Sequence, residues 1–161
     1  MAESVAFASS NKPERYAELL PQLASLVDGE PDLVANLANL TAAIRACLPI
    51  ASWVGFYIAR AGELVLGPFQ GNVACVRIAL GRGVCGTAAA QKRTVVVRDV
   101  DEFPGHIACD AGSKSEIVVP IVHRDRVVAV LDVDSYELAA FDAVDAEWLG
   151  KVAELCATFA W

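Results

Sequence analysis

Two hydrophobic periods alternate along the chain, helical at both ends and strand-like between them. PERYAELLPQLASLV predicts a helix that Pro21 kinks and Asp28-Gly29 ends. Pro31 opens a second helix with Leu33, Val34, Leu37, Leu40 and Ile44 on one face; Cys47 and Leu48 continue it and Pro49 stops it. The period then changes to two. ASWVGFYIA alternates Val54, Phe56 and Ile58 against Trp53, Gly55 and Tyr57. ELVLGPF reads as a second strand, joined to the first at Ala61-Gly62, and residues 73–80 as a third. GRGVCGTAAAQKR is a glycine loop feeding a short helix, TVVVRDV a short strand, and residues 101–114 a long loop. SEIVVPIV and RVVAVLDVDS form two strands about a turn at Arg124-Asp125, with Pro120 marking an edge or a bulge. Phe141, Val144, Trp148, Val152, Cys156 and Phe159 make the stripe of a closing helix.

Helices, then strands, then a helix predict an α+β fold: an antiparallel sheet with helices on one face and loops over the other. The helix-facing side would carry Val54, Ile117 and Leu131. The far side would carry Trp53, Tyr57, Glu116, Asp132 and Asp134. Residues 1–12 read as a loose arm of a single domain spanning 1–161. The three carboxylates change the picture most. Asp132 and Asp134 interrupt a run of Val, Ala and Leu, where a polar group costs stability unless it is satisfied. Clustered carboxylates raise one another's pKa, so one can stay protonated as an acid while others hold an ammonium group. A solvated outer face is the plainer reading of any one of them.

Composition sets outer bounds. Of 161 residues, 55% are hydrophobic and 20% charged, enough apolar matter for one full core. The net charge of −7 argues against nucleic acid or an anionic membrane as partner. No apolar run reaches bilayer length and no secretory leader is visible, so a cytoplasmic protein is expected.

In a reducing compartment the five cysteines need individual readings. Cys47 and Cys156 sit on apolar helix faces and read as core. Cys85 lies at a helix start, where backbone N–H groups would favour a thiolate. Cys109 lies in a polar Gly/Pro loop, and Cys75 is balanced between packing and function. Cys75, Cys85, Cys109 and His106 match no zinc spacing, so no metal is expected. His106 reads as a loop hydrogen-bonding or orienting group and His123 as exposed. No P-loop follows Gly81 and Gly83, so no phosphate site is expected either.

The run GPFQGNVACVRIALGRGVCGTAAAQKRTVVVRDVDEFPGHIACDAGSKSEIVVPIV, followed by VLDVDS, resembles the free methionine-(R)-sulfoxide reductases, small enzymes built on a GAF domain. The likeness spans about Pro31 to Leu149 and is strongest from Gly67 to Ser135. It implies reduction of free methionine (R)-sulfoxide, with thioredoxin or a similar dithiol as external reductant and no bound cofactor. By motif it implies Cys109 as attacking thiol, Cys75 as main resolving partner and Cys85 as a further redox thiol. Glu116, Asp132 and Asp134 would be the acidic residues of the substrate pocket, Trp53 and Tyr57 its aromatic wall, and a homodimer the assembly. The alternative is a GAF sensor that binds a small ligand or senses oxidants without turnover.

Overall fold

The computed structural model describes residues 4–161. In chain order the elements are α1 (Lys12–Val27), α2 (Leu33–Cys47), β1 (Ala51–Arg60), β2 (Glu63–Gln70), β3 (Arg77–Ala79), α3 (Gly83–Gln91), β4 (Val95–Val97), a 3-10 turn (Val100–Glu102), β5 (Ser115–His123), β6 (Arg126–Ser135) and α4 (Ala143–Cys156). Side chains start three of the helices. Asn11 accepts from the Glu14 N–H, Asp32 from the Ala35 N–H, and Asp142 forms a reciprocal capping box with Asp145. α1 runs on through Pro21.

The strands form one antiparallel sheet of six, in the order β3-β2-β1-β6-β5-β4. Two tight hairpins fix its central register. Ala61 and Gly62 have φ of 50° and 86°, and Arg124 and Asp125 have φ of 49° and 61°. Positive φ at both central residues matches the twist of the flanking strands. Pro120 pairs with Val130 on β6, while β4 reaches only as far as Val118, so its missing N–H breaks no ladder on the β4 side. The bulge lies one step further on, between Ile121 and Val122.

The two sheet faces are both covered. Val54, Phe56, Ile117, Val119, Leu131 and Val133 pack against α1, α2 and α4 in the larger core. The short α3 crosses to the opposite face, where Val84, Cys85, Ala88 and Ala89 meet Trp53, Tyr57, Val118 and Val130. The expectation that all helices share one face therefore holds for three of them. α3 is too short and too weakly amphipathic to declare a side from its sequence.

Other expectations need local correction. The third strand is confined to Arg77–Ala79, because residues 71–75 leave the sheet to carry Cys75 across its face. Val34 is exposed, and the buried face of α2 runs instead through Asn36, Leu37, Leu40, Thr41, Ile44 and Cys47. His123 is half-buried, with Nδ1 2.7 Å from the Ala157 carbonyl. Of the arm, residues 1–3 lie outside the described part. The Ala6 N–H donates to Gln22, the Ala8 and Ser9 N–H groups donate to Glu18, and Lys12 already belongs to α1.

One ionic knot joins the first helix to the last. The fully buried Asp145 accepts from Lys12 Nζ at 2.7 Å and from the Tyr16 hydroxyl at 2.8 Å, and its other bond is to the Asp142 N–H. Asp145→Ala strands the buried Tyr16 hydroxyl and dissolves the capping box. It should lower unfolding free energy by roughly 3 kcal/mol, in the range found when one member of a buried pair is removed. Urea unfolding checks this: the midpoint should fall while the slope stays constant.

Candidate active site

Sheet register assembles the site. In an antiparallel pair, residues directly opposite one another share a face. Trp53 faces Asp134, Asp134 faces Glu116, and Glu116 faces Val97, so these four form one row across the sheet. The next row holds Gly55, Asp132, Val118 and Val95. Three carboxylates from two adjacent strands thus converge on a single buried patch.

The aromatic wall depends on glycine. The Trp53 ring lies back over Gly55, stacked between Tyr57 (centroids 6.0 Å apart) and Phe69 (5.3 Å). A Cβ on Gly55 would come within 2.3 Å of that ring, so no larger residue fits between Trp53 and Tyr57. Trp53 Nε1 donates to the Asn72 carbonyl, and the Tyr57 hydroxyl donates to the Cys75 carbonyl, each at 3.0 Å. Both aromatics therefore dock the loop that carries Cys75 onto the sheet.

Above the patch lies a cleft of about 510 Å³, open solvent at its mouth included. Trp53, Tyr57, Cys85, Cys109, Glu116, Asp132 and Asp134 line it, and no Lys or Arg is among its lining residues. Cys109 is joined to Cys75 by a disulfide, Cα atoms 5.3 Å apart. Of the eight residues singled out in the sequence, seven line the cleft and the eighth, Cys75, is bonded to one of them.

The electrostatics follow from burial without a cation. Burial pushes Glu116 well above the usual carboxylate range, and the Asp134 charge adds to it. Asp132 is raised by burial and then by Glu116, and Asp134 by burial and then by Asp132, with Ser113 pulling Asp134 the other way. His106 Nε2 stands 3.7 Å from Glu116 Oε2. Burial lowers the His106 pKa, against the pull of Asp101, so the ring is neutral at neutral pH. Asp132 lines the cleft, and its Oδ1 is a buried acceptor with no hydrogen-bond partner.

Cys85 corrects the expectation of a thiolate. It is buried in α3, and its Sγ is 3.9 Å from Glu116 Oε1. Burial, then Asp132 and Glu116, push its pKa up and outweigh the helix terminus. Cys85, Glu116 and Asp132 bring three potential metal donors within 4.8 Å of one another. The zinc set weighed from the sequence is a different one, and its Cys75 and Cys109 are consumed by the disulfide. Cys47 and Cys156 are fully buried, their thiols pushed up to about 11 and about 12 by burial.

Some site residues lay beyond sequence reasoning. Ser113 is buried beside Asp134, and Asp110 lines the cleft next to Cys109. Both lie in a loop with no hydrophobic period to phase it. Their one signal was proximity in sequence to Cys109 and Glu116.

The architecture is that of a GAF domain, whose family model matches residues 32–159. Free methionine-R-sulfoxide reductase of Saccharomyces cerevisiae is 45% identical over 96% of this chain and 91% of its own length. That of Escherichia coli is 47% identical over 88% of this chain and 86% of its own. The crystal structure of the Neisseria meningitidis free methionine-R-sulfoxide reductase in complex with its substrate superposes with a TM-score of 0.94 at 49% identity, covering 97% of this chain and 94% of that one. Within the GAF domains, the chain belongs to the free methionine-(R)-sulfoxide reductase family. Among the described residues, no helix is long and apolar enough to cross a membrane.

The raised carboxyls fix the sign of a pH effect. Below about pH 4 the unfolded chain and the folded cleft are both protonated, and folding gains or loses nothing from them. Above it the unfolded carboxyls ionise first, so stability falls as pH rises toward the folded values. The wild-type urea midpoint should therefore drop between about pH 5 and about pH 8, above the ordinary carboxyl range. Asp132→Asn should drop less and exceed wild type at the upper pH. An equal drop in both proteins would remove Asp132 as a source.

Proposed function

We propose that the protein reduces free methionine (R)-sulfoxide to methionine at this cleft. The observation that carries the reading is the Cys75–Cys109 disulfide on an acidic cleft that has no lysine or arginine among its lining residues. Relatives named for this activity support it. A free amino acid brings an ammonium group, the cation this cleft lacks. Asp132 Oδ1 is an acceptor without a donor, and Asp134 stands beside it. Trp53 and Tyr57 give the thioether end an apolar wall. Enclosure of the amino and carboxylate ends would exclude the same group inside a peptide.

In this reading the Cys109 thiol attacks the electrophilic sulfoxide sulfur. Glu116, kept protonated by its burial, delivers a proton to the oxygen as the sulfur–oxygen bond breaks. The protonated oxygen passes to the Cys109 sulfur as the new sulfur–sulfur bond breaks and methionine leaves, and the proton lost by the thiol returns to Glu116. Cys109 is left as a sulfenic acid, so the sulfoxide is reduced and the thiol oxidised by two electrons. Cys75 displaces that oxygen as water and forms the disulfide. Thioredoxin or a similar dithiol then reduces the disulfide by exchange. Cys85 stays a thiol against Glu116 and Asp132, a wall of the cleft and a reserve sulfur.

Reduced protein mixed with free methionine sulfoxide, without reductant, should yield about one methionine per chain, the stoichiometry of a single two-electron thiol oxidation. Cys109→Ser should yield none. Cys75→Ser should still release its first methionine, accumulate sulfenic acid and fail to cycle with thioredoxin. Methionine formation by Cys109→Ser would overturn the assignment of the nucleophile.

A further inference from the structure

We propose that Asn72, Asp110 and Tyr136 form a clasp that holds the Cys75 loop against the Cys109 loop, making them positioning residues for disulfide formation. The inference rests on the functional reading above and adds a step to it. Both cysteines lie in irregular segments, 34 residues apart in the chain. Once the disulfide is reduced, the bond that joins those segments is gone. The side chains next to each cysteine meet again outside it. Asn72 lies three residues before Cys75, and Asp110 directly follows Cys109. Tyr136 directly follows Ser135, the last residue of β6, and so brings the rigid sheet into the contact.

Four hydrogen bonds tie the clasp together. The Tyr136 hydroxyl donates to Asp110 Oδ2 at 2.8 Å and accepts from Asn72 Nδ2 at 3.1 Å. Asn72 Nδ2 also donates to Asp110 Oδ2 at 3.2 Å. The other carboxylate oxygen, Oδ1, accepts from the Gly112 N–H at 2.9 Å, which turns the loop beyond Cys109. The Tyr136 ring is pressed onto that turn: a Cβ on Gly112 would lie 2.9 Å from it. The bonds from Gly112 and Tyr136 hold Asp110 below the usual carboxylate range, so it is charged at neutral pH and a strong acceptor. Neither Asn72 nor Tyr136 lines the cleft. Their work lies in keeping two sulfurs within reach, an effective concentration rather than a contact with substrate.

Two measurements on the full chain test this, one of them independent of substrate. In a glutathione redox buffer, Asn72→Ala and Tyr136→Phe should each lower the equilibrium constant for the Cys75–Cys109 disulfide about tenfold, as expected for losing charge-assisted bonds. In a single turnover, both should release methionine at the wild-type rate, form the disulfide about tenfold more slowly, and give more dimedone-trapped sulfenic acid. Tyr136→Phe keeps the ring on Gly112, so its effect isolates the hydroxyl. Glutathione equilibria within twofold of wild type in both variants would overturn the clasp, as would an equal fall in the methionine rate, which marks general damage. If wild-type protein releases no methionine, the functional reading fails while the glutathione equilibrium still decides the clasp.

Discussion

Three carboxylates share a buried patch whose cleft contains no lysine or arginine, and the molecule is organised around tolerating that. A charge moved from water into protein needs a partner or a proton. Here the protein supplies neither full exposure nor a lysine or arginine, and the nearby His106 is held neutral by its burial. The cluster therefore holds protons that ordinary carboxylates would have released, and it holds an acceptor, Asp132 Oδ1, with nothing to accept. Both properties are costs to the empty fold. In the proposed reaction both become assets, because an ammonium group and a departing oxygen would arrive together.

The sheet makes this arrangement rigid. Hairpins with positive φ at both turn residues lock β1 to β2 and β5 to β6, and a one-residue slip would send Asp132 and Asp134 into the helix-side core. Gly55 gives up a side chain so that Trp53 can lie flat beside Asp134. Through Trp53 Nε1 and the Tyr57 hydroxyl the same wall grips the loop bearing Cys75. The acidic cleft and the disulfide thus share their supports.

How much of this was readable beforehand depended on whether a residue sat in a periodic segment. Alternation placed Trp53, Tyr57, Glu116, Asp132 and Asp134 on one face, because a strand has only two faces to choose from. It could not place Cys75, since residues 73–80 alternate well enough to pass for a strand while the loop is pulled off the sheet by Tyr57 and the disulfide. Cys85 misled for a different reason. A helix start favours a thiolate, but the neighbours that reverse the effect, Glu116 and Asp132, lie 31 and 47 positions away in the chain. The side of the sheet taken by α3 was equally invisible, because an Ala- and Gly-rich helix is apolar nearly all round.

The sheet also divides the sulfur atoms into two populations. Cys47 and Cys156 belong to the helix-side core, while Cys75, Cys85 and Cys109 lie on the other side. A β-sheet with packed layers on both faces is an insulating wall to a thiol. It leaves the two inner cysteines no route to the bridged pair in the folded protein, so mispaired bridges are prevented by partition rather than by any tuning of reactivity.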